Sequence, residues 1–319
     1  MVVVKRAFGV AVITKLARAI LCLLSLNCAI ARADKAGAAT PDSATMGGME
    51  SIERLRTRAD EGDIPSQLKL ARAFAAGKGV EKDVSESLKW LRLAAKAGSA
   101  EAQYNIGIAY LHEVIKPTDM AQAQQWLRRA AEQNYVPALL DLGKIHSGGR
   151  VGRADLREAA KWYQAAAELG DAMGALLLAD LYEKGDGVAQ DSQAVVKWVT
   201  RAADLGHAEA QVRLGFLYDG GKTLPMNQGE AVKWFTRAAL QGHGWGQGFL
   251  GRAYALGAGV PMDEIEAVAW FTISLKSESP PQISRQFIDL LKLSAQDLAK
   301  AKKRASDIEE QIGSGGNNK

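Results

Sequence analysis

The stretch AEAQVRLGFLYDGGKTLPMNQGEAVKWFTRAALQG, residues 208–242, carries the pattern that decides the fold. Its tryptophan belongs to a column of six, each 36 residues from the next: Trp90, Trp126, Trp162, Trp198, Trp234 and Trp270. Leu214 belongs to a second column with the same 36-residue spacing, which is aliphatic. Tyr218 belongs to a third, which is mainly aromatic. A fixed period of this length is the signature of a repeat protein, in which each copy is one structural unit stacked on its neighbours.

Each copy has the spacing of two α-helices. In the fourth copy, Ala175, Leu178 and Tyr182 recur every three or four residues on one face of a first helix, and Trp198 and Ala202 do so in a second. Paired alanines follow each of the first five tryptophans. Alanine lets two helix backbones approach closely, so the tryptophan fills the gap between hairpins. We therefore predict an all-α fold, an α-solenoid of six helix-turn-helix repeats with helical caps.

The turns between helices repeat as well. Before each second helix stands a residue whose side chain accepts from the free N–H groups of the first turn: Asp83, Asp119, Asp155, Asp191, Asn227 and Asp263. After that helix stands a residue that tolerates the left-handed conformation of a C-terminal cap: Gly98, Asn134, Gly170, Gly206 and Gly242. Both columns therefore support the same helix boundaries.

One loop, GDGVAQD at residues 185–191, has the glycine spacing of a phosphate-binding loop. It recurs as GKGVEKD at residues 77–83 and as GAGVPMD at residues 257–263. A phosphate loop follows a strand and occurs once, whereas this loop follows a helix and is repeated. We predict a joint between two helices of a hairpin.

The first 33 residues have the features of a secretory signal peptide. Basic residues precede an apolar run at 19–31, and Ala31 and Ala33 supply the small residues that a signal peptidase reads. We predict cleavage after one of these two alanines and a periplasmic or secreted protein. The alternative is an uncleaved membrane anchor, although the apolar run is shorter than the ~20 residues that a span needs.

Removal of this segment changes the charge and the cysteine content. It takes five basic residues and no acidic ones from totals of 40 and 36, which leaves 35 basic against 36 acidic residues. A neutral chain does not predict a nucleic-acid partner, which would need a clustered basic surface. Cys22 and Cys28 both lie in the segment, so the mature chain has no thiol for a disulfide. No membrane span is predicted in the mature form.

Composition and period set the remaining boundaries. Residues 34–49 are small and polar and are predicted to be a disordered linker. Residues 50–62 are predicted to form a capping helix, a half repeat, since Gly62 lies 36 residues before Gly98. Residues 63–277 hold the six repeats, residues 282–312 form C-terminal capping helices, and residues 313–319 are a disordered tail.

These repeats resemble the Sel-1-like repeat family, relatives of the tetratricopeptide repeats that form right-handed α-solenoids. The resemblance covers roughly residues 50–276, and the fifth copy, AEAQVRLGFLYDGG to AVKWFTRAALQG, is nearly the family pattern. It implies a scaffold or adaptor that holds a protein or peptide partner in a concave groove, often in the bacterial envelope. One cysteine-rich branch of the family resembles β-lactamases, but the cysteines of that branch are missing here.

The sequence therefore leaves three alternative functions. The first is an exported adaptor without catalysis of its own. The second is an envelope hydrolase similar to the cysteine-rich branch, and the third is a periplasmic regulator of a sensor kinase. No Gly-x-Ser-x-Gly motif and no mature cysteine offers a nucleophile, and the four histidines are too far apart in the repeats for a zinc site. We accordingly predict no catalytic residue, no cofactor and no metal.

The resemblance places the variable positions of the first helices on the concave face. Mapped through the register, these residues are Tyr104, Ile108, Leu140, Lys144, Met173, Leu176, Asp180, Phe216, Trp245 and Arg252. The alternative for the aliphatic members is simple packing between first helices.

Trp245 is the one tryptophan outside the 36-residue register. It lies one helical turn from Phe249, and Arg252 shares a column with Phe216 of the preceding copy, which predicts a cation–π contact between those two. Aromatic residues with arginine are typical of binding hot spots, so we predict that Phe249 belongs to the partner-binding face together with Trp245 and Arg252. The alternative is that Trp245 covers the join to the C-terminal cap, because Gly244 and Gly246 leave space there.

Overall fold

The computed structural model describes residues 51–112, 114–116, 119–148, 154–277 and 281–315. Within these ranges the chain forms fifteen α-helices and no strand, which confirms the predicted all-α solenoid repeat. The predicted signal peptide, the predicted linker and residues 316–319 of the predicted tail lie outside the described residues. The helices form two compact units, and the boundary falls between Leu142 and Gly143.

Unit 1, up to Leu142, begins with a single helix that packs on the first hairpin. Its helices are α1 (Ile52–Asp60), α2 (Ile64–Ala76), α3 (Val84–Lys96), α4 (Ala100–Leu111), α5 (Met120–Ala131) and the first part of α6 (Val136–Ser147). Helix α1 lies within the predicted half repeat and buries Leu55 and Ala59. The core of this unit is apolar and includes Leu70, Trp90 and Ile106.

Unit 2, from Gly143, contains the later repeats and the C-terminal helices. Its helices after α6 are α7 (Leu156–Glu168), α8 (Ala172–Lys184), α9 (Ser192–Asp204), α10 (Ala208–Gly220), α11 (Gln228–Leu240), α12 (Gly244–Leu256), α13 (Glu264–Ser274), α14 (Gln282–Leu291) and α15 (Ala295–Gly315). Helix α15 packs on α13. It continues three residues past the predicted end at residue 312.

The tryptophan column builds the hairpin packing. Trp90, Trp198, Trp234 and Trp270 are buried, whereas Trp126 and Trp162 are half-buried. The alanine pair that follows each of the first five tryptophans is buried throughout: Ala94–Ala95, Ala130–Ala131, Ala166–Ala167, Ala202–Ala203 and Ala238–Ala239. Large and small side chains thus fill the space between helices at a fixed place in each copy.

A second size match joins the two helices of several hairpins. A Cβ atom on Gly107 would lie 2.8 Å from Leu127, and one on Gly251 would lie 2.8 Å from Phe271. Where the second helix carries the smaller Val199, the first helix carries Ala179 in place of glycine. In these three hairpins the small residue of the first helix matches the size of the residue that it faces, whereas the first copy combines Ala71 with Leu91.

The caps lie where the sequence predicts them. All six members of the aspartate and asparagine column are N-cap residues whose side chains accept from backbone N–H groups. In the loop at residues 185–191, Gly185 is left-handed with φ 73° and ends α8. Asp191 then begins α9 by accepting from the N–H groups of Gln193 and Ala194. This confirms that the loop is a joint between helices.

Candidate interaction surface

The predicted partner-binding residues of unit 1 are largely buried. Tyr104 and Ile108, both on α4, expose 8% and 5% of their surface. The Tyr104 hydroxyl donates to the Asp141 carboxylate at 2.9 Å, and its ring centroid lies 5.3 Å from that of Tyr135. Leu140 is half-buried. These side chains offer little open surface to a partner.

Tyr135 itself is half-buried. Burial raises the pKa of Tyr135 to about 12, with the Glu101 carboxylate as a second cause in the same direction. The Arg72 guanidinium, which binds Glu101 at 2.6 Å, opposes the rise. The shift shows that the phenolate form is disfavoured by desolvation.

The predicted residues of unit 2 are more open. They lie on α6 (Lys144), α8 (Met173, Leu176 and Asp180), α10 (Phe216) and α12 (Trp245, Phe249 and Arg252). Lys144 is exposed, and Met173, Phe216 and Trp245 expose 39%, 39% and 44% of their surface. Leu176 and Phe249 are buried. Large apolar side chains therefore reach the solvent from three first helices, α8, α10 and α12.

Four aromatic residues of unit 2 form one group, the Phe249 cluster: Phe216, Phe235, Trp245 and Phe249. Phe249 lies at its centre, with its ring centroid 4.3 Å from Phe216, 5.4 Å from Phe235 and 5.7 Å from Trp245. Trp245 stacks on it at 23°, whereas Phe216 meets it edge-on at 77°. The exposed rings of Trp245 and Phe216 are therefore held from below by a buried ring.

The glycines beside Trp245 serve the packing of α12. A Cβ atom on Gly246 would lie 2.7 Å from that of Ala238, and one on Gly244 would lie 2.7 Å from that of Ser277. The C-terminal segment meets α12 at Gly248, where an added Cβ would lie 3.1 Å from Pro281. The space beside the glycines is thus filled by other residues, while Trp245 itself reaches the solvent.

Arg252 has different partners from the predicted one. Its guanidinium lies 5.9 Å from the ring centroid of Phe249 and binds the Asp219 carboxylate at 2.5 Å. The predicted cation–π contact with Phe216 is replaced by this ion pair, since Asp219 lies one turn further along α10 and attracts the charge more strongly. The pair links α12 to α10.

A second ion-pair group links α10 to α8. Arg213 binds Asp180 at 2.5 Å and Glu183 at 3.1 Å, so Asp180 is a structural partner as well as a surface residue. The repeat columns contained a signal for these residues, because Arg213 shares a column with Phe249 and Glu183 shares one with Asp219. Sequence reasoning missed them because it did not follow these two columns from copy to copy.

Glu209 is a further missed member of this surface. It occupies the same repeat position as Met173 and Trp245, one copy from each. Its carboxylate lies 3.1 Å from His243 Nε2, and His243 Nδ1 accepts from the Gly246 N–H at 3.3 Å. Glu209 is therefore tied to the first turn of α12, the turn that presents Trp245. We call the group Met173, Asp180, Glu183, Glu209, Arg213, Phe216, Trp245 and Arg252 the first-helix surface of unit 2.

The described residues hold no group of three or more histidine, cysteine, aspartate or glutamate side chains placed to hold a metal ion. In the same part of the chain, none of the helices has both the length and the apolar character required to cross a membrane.

A family model for the Sel1 repeat matches six consecutive segments, residues 64–99, 100–135, 136–171, 172–207, 208–243 and 246–277. The chain belongs to the Sel1 repeat family. This confirms the resemblance drawn from the repeat columns. Sel1 repeat proteins are generally protein–protein interaction scaffolds, and the repeats favour a protein partner.

Two solved structures are similar to this Sel1 repeat chain. A Sel1 repeat protein from Oxalobacter formigenes is 28% identical over 72% of this chain and 92% of its own, with a TM-score of 0.58. The protective antigen c5321, present in uropathogenic Escherichia coli strains, is 27% identical over 82% of this chain, with a TM-score of 0.50. The chain spans 64% of that antigen, less than two thirds of its length. A search of the curated proteins finds no significant match to the sequence.

Proposed function

We propose that this Sel1 repeat chain is an exported scaffold or adaptor that binds a protein or peptide partner and has no catalysis of its own. The binding surface is the first-helix surface of unit 2. The partner meets it outside the cytoplasm, in the bacterial envelope or beyond the cell.

One observation carries the proposal. Trp245 and Phe216 expose 44% and 39% of their surface although both rest on the buried ring of Phe249. A rigid aromatic side chain that is already ordered loses little conformational entropy when a partner covers it. Exposed tryptophan beside arginine is the composition of residues that dominate binding energies in interfaces.

The test is crosslinking and affinity purification from the envelope fraction of cells that express the full chain. We expect one stoichiometric protein with the wild type and with Leu205→Ala, and none with Trp245→Ala. Leu205 is a matched control, because it exposes 44% of its surface but lies in the turn between α9 and α10. Equal recovery by all three proteins contradicts the proposed surface, and recovery of no partner by the wild type contradicts the scaffold function.

Export is supported by the N-terminal sequence, in which an apolar run and the alanines at positions 31 and 33 follow basic residues. We expect the purified envelope protein to begin at Arg32 or Asp34, as read by N-terminal sequencing. A protein found in the cytoplasm with its N-terminus intact contradicts export.

The proposed absence of catalysis is tested by an assay for β-lactamase activity, because the cysteine-rich branch of the family resembles β-lactamases. The purified protein is incubated with a chromogenic β-lactam, and we expect no turnover above the rate of the buffer. Turnover that Trp245→Ala leaves unchanged would establish the hydrolase and contradict a purely scaffolding role.

A further inference from the structure

The indole of Trp245 is stacked on another ring and is also substantially exposed. It stacks on Phe249 at an interplanar angle of 23°, with 5.7 Å between the ring centroids. The residue nevertheless exposes 44% of its surface, so part of it is open to solvent. The face of a tryptophan ring carries negative electrostatic potential and attracts cations more strongly than any other aromatic side chain.

An exposed carboxylate lies beside the start of the same helix. Glu209 exposes 54% of its side chain and meets His243 Nε2 at 3.1 Å. His243 Nδ1 accepts from the Gly246 N–H at 3.3 Å, so Nε2 faces the Glu209 carboxylate. This contact positions Glu209 at the start of α12, and more than half of its side chain stays open to solvent.

The rest of the first-helix surface of unit 2 also carries more negative than positive charge. Arg213 is one cation between two carboxylates, and its side chain is 22% exposed against 41% for Asp180 and 61% for Glu183. Arg252 is paired with Asp219, and their side chains are 28% and 17% exposed. Both guanidinium groups are therefore paired, and the most exposed charged side chains of this surface are Glu183 and Glu209, at 61% and 54%.

From this arrangement we infer that the partner segment is cationic, and that it lays a lysine or arginine side chain over the exposed indole of Trp245, paired with the Glu209 carboxylate. An apolar residue next to that cation covers Phe216. This inference rests on the proposed function, since it names the chemistry of the partner that the same surface binds. An acidic segment would place like charges beside Glu209 and Glu183 and is disfavoured.

The experiment selects binders to the full chain from a displayed library of random peptides. Trp245→Ala is used for counter-selection. We expect the enriched peptides to carry lysine or arginine next to an apolar residue. Enrichment of acidic or uncharged peptides, or no peptide that depends on Trp245, overturns the inference.

One enriched peptide is then measured by fluorescence anisotropy against variants of the full chain. We expect Trp245→Ala to weaken binding roughly tenfold or more, and Glu209→Gln to weaken it several-fold and reduce its salt dependence. Trp245→Phe retains part of the affinity, and the matched control Leu205→Ala retains all of it. Equal affinity for the peptide and for a copy with glutamine in place of each basic residue overturns the inference.

Circular dichroism of each variant separates lost binding from lost folding. Glu209→Gln alters an exposed side chain and keeps the inference testable if Trp245→Ala fails to fold. Failure of the proposed function gives a different result, because then no cellular protein is captured through position 245. Capture of a partner whose contacting segment is acidic leaves the scaffold function standing and overturns the cationic segment.

Discussion

The first helices of the two units use one repeat position in opposite ways. Ile108 in unit 1 and Phe216 in unit 2 occupy the same position of their copies, yet they expose 5% and 39% of their surface. Tyr104 near Ile108 is buried, whereas Trp245, which occupies a different position of its copy, is open. In unit 1 this position belongs to the packing, and in unit 2 it forms a surface.

The residues near these side chains also differ between the two units. In unit 1, the hydroxyl and ring of Tyr104 are covered by Asp141 and Tyr135. His243 occupies the position of Tyr135 in the later copy, and its smaller ring turns to the backbone of α12 and to Glu209. The residue at the Tyr104 position of this later copy, Val212, is buried as well, so the contrast between the units lies at the position of Ile108 and Phe216 and in the open ring of Trp245.

The largest effect is expected in unit 1. Tyr104→Ala removes a buried ring and its hydrogen bond to Asp141, so we expect a loss of about 3 kcal/mol in the free energy of unfolding. Urea unfolding followed by circular dichroism measures it, and Tyr104→Phe serves as the control that keeps the ring. A loss below about 1 kcal/mol would show that Tyr104 is exposed in solution like Trp245.

An intermediate effect is expected under the first-helix surface of unit 2. Gly251→Ala places a Cβ atom 2.8 Å from Phe271 and should cost about 1–3 kcal/mol by overpacking. Gly220→Ala is the matched control, since no atom lies within 4 Å of its added Cβ. Equal stability of the two variants, measured by urea unfolding, would contradict the close approach of α12 and α13.

A smaller effect on stability is expected at Trp245. Trp245→Ala removes a half-open ring that stacks on Phe249, and we expect a loss of about 1 kcal/mol in the free energy of unfolding. Partner binding is lost in the same variant. A loss of stability as large as that of Tyr104→Ala would mean that Trp245 is a packing residue and would remove the contrast between the units.

The raised pKa of Tyr135 is expected to have the smallest effect on stability at neutral pH. Its pKa is raised to about 12 in the folded chain. Its contribution to the free energy of unfolding is therefore fully present below pH 10, the ordinary pKa of tyrosine, and is lost as the pH rises from 10 to 12. We expect the urea midpoint to fall over this range, and to fall less in Tyr135→Phe. Absorbance of tyrosinate measures the titration, and a Tyr135 that ionises near pH 10 would contradict its burial.

Much of the fold could be predicted because it depends on features that repeat. Six tryptophans at one spacing, and the Asp191 type of N-cap, fix the helices through local contacts and a constant period. The surface was harder to predict, because it depends on single differences between copies. Phe249 was selected as a surface residue and lies buried at the centre of its cluster. Arg252 binds Asp219, which a one-column comparison with Phe216 could not show.

The most direct test of the account is site-specific photocrosslinking in living cells. A photoreactive amino acid replaces Trp245 in one strain and Leu205, which is equally exposed, in another. We predict that position 245 crosslinks to one partner protein, at a segment that contains lysine or arginine, and that position 205 does not. Crosslinking from position 205 alone, or from neither position, would contradict the claim that the first-helix surface of unit 2 is the binding surface.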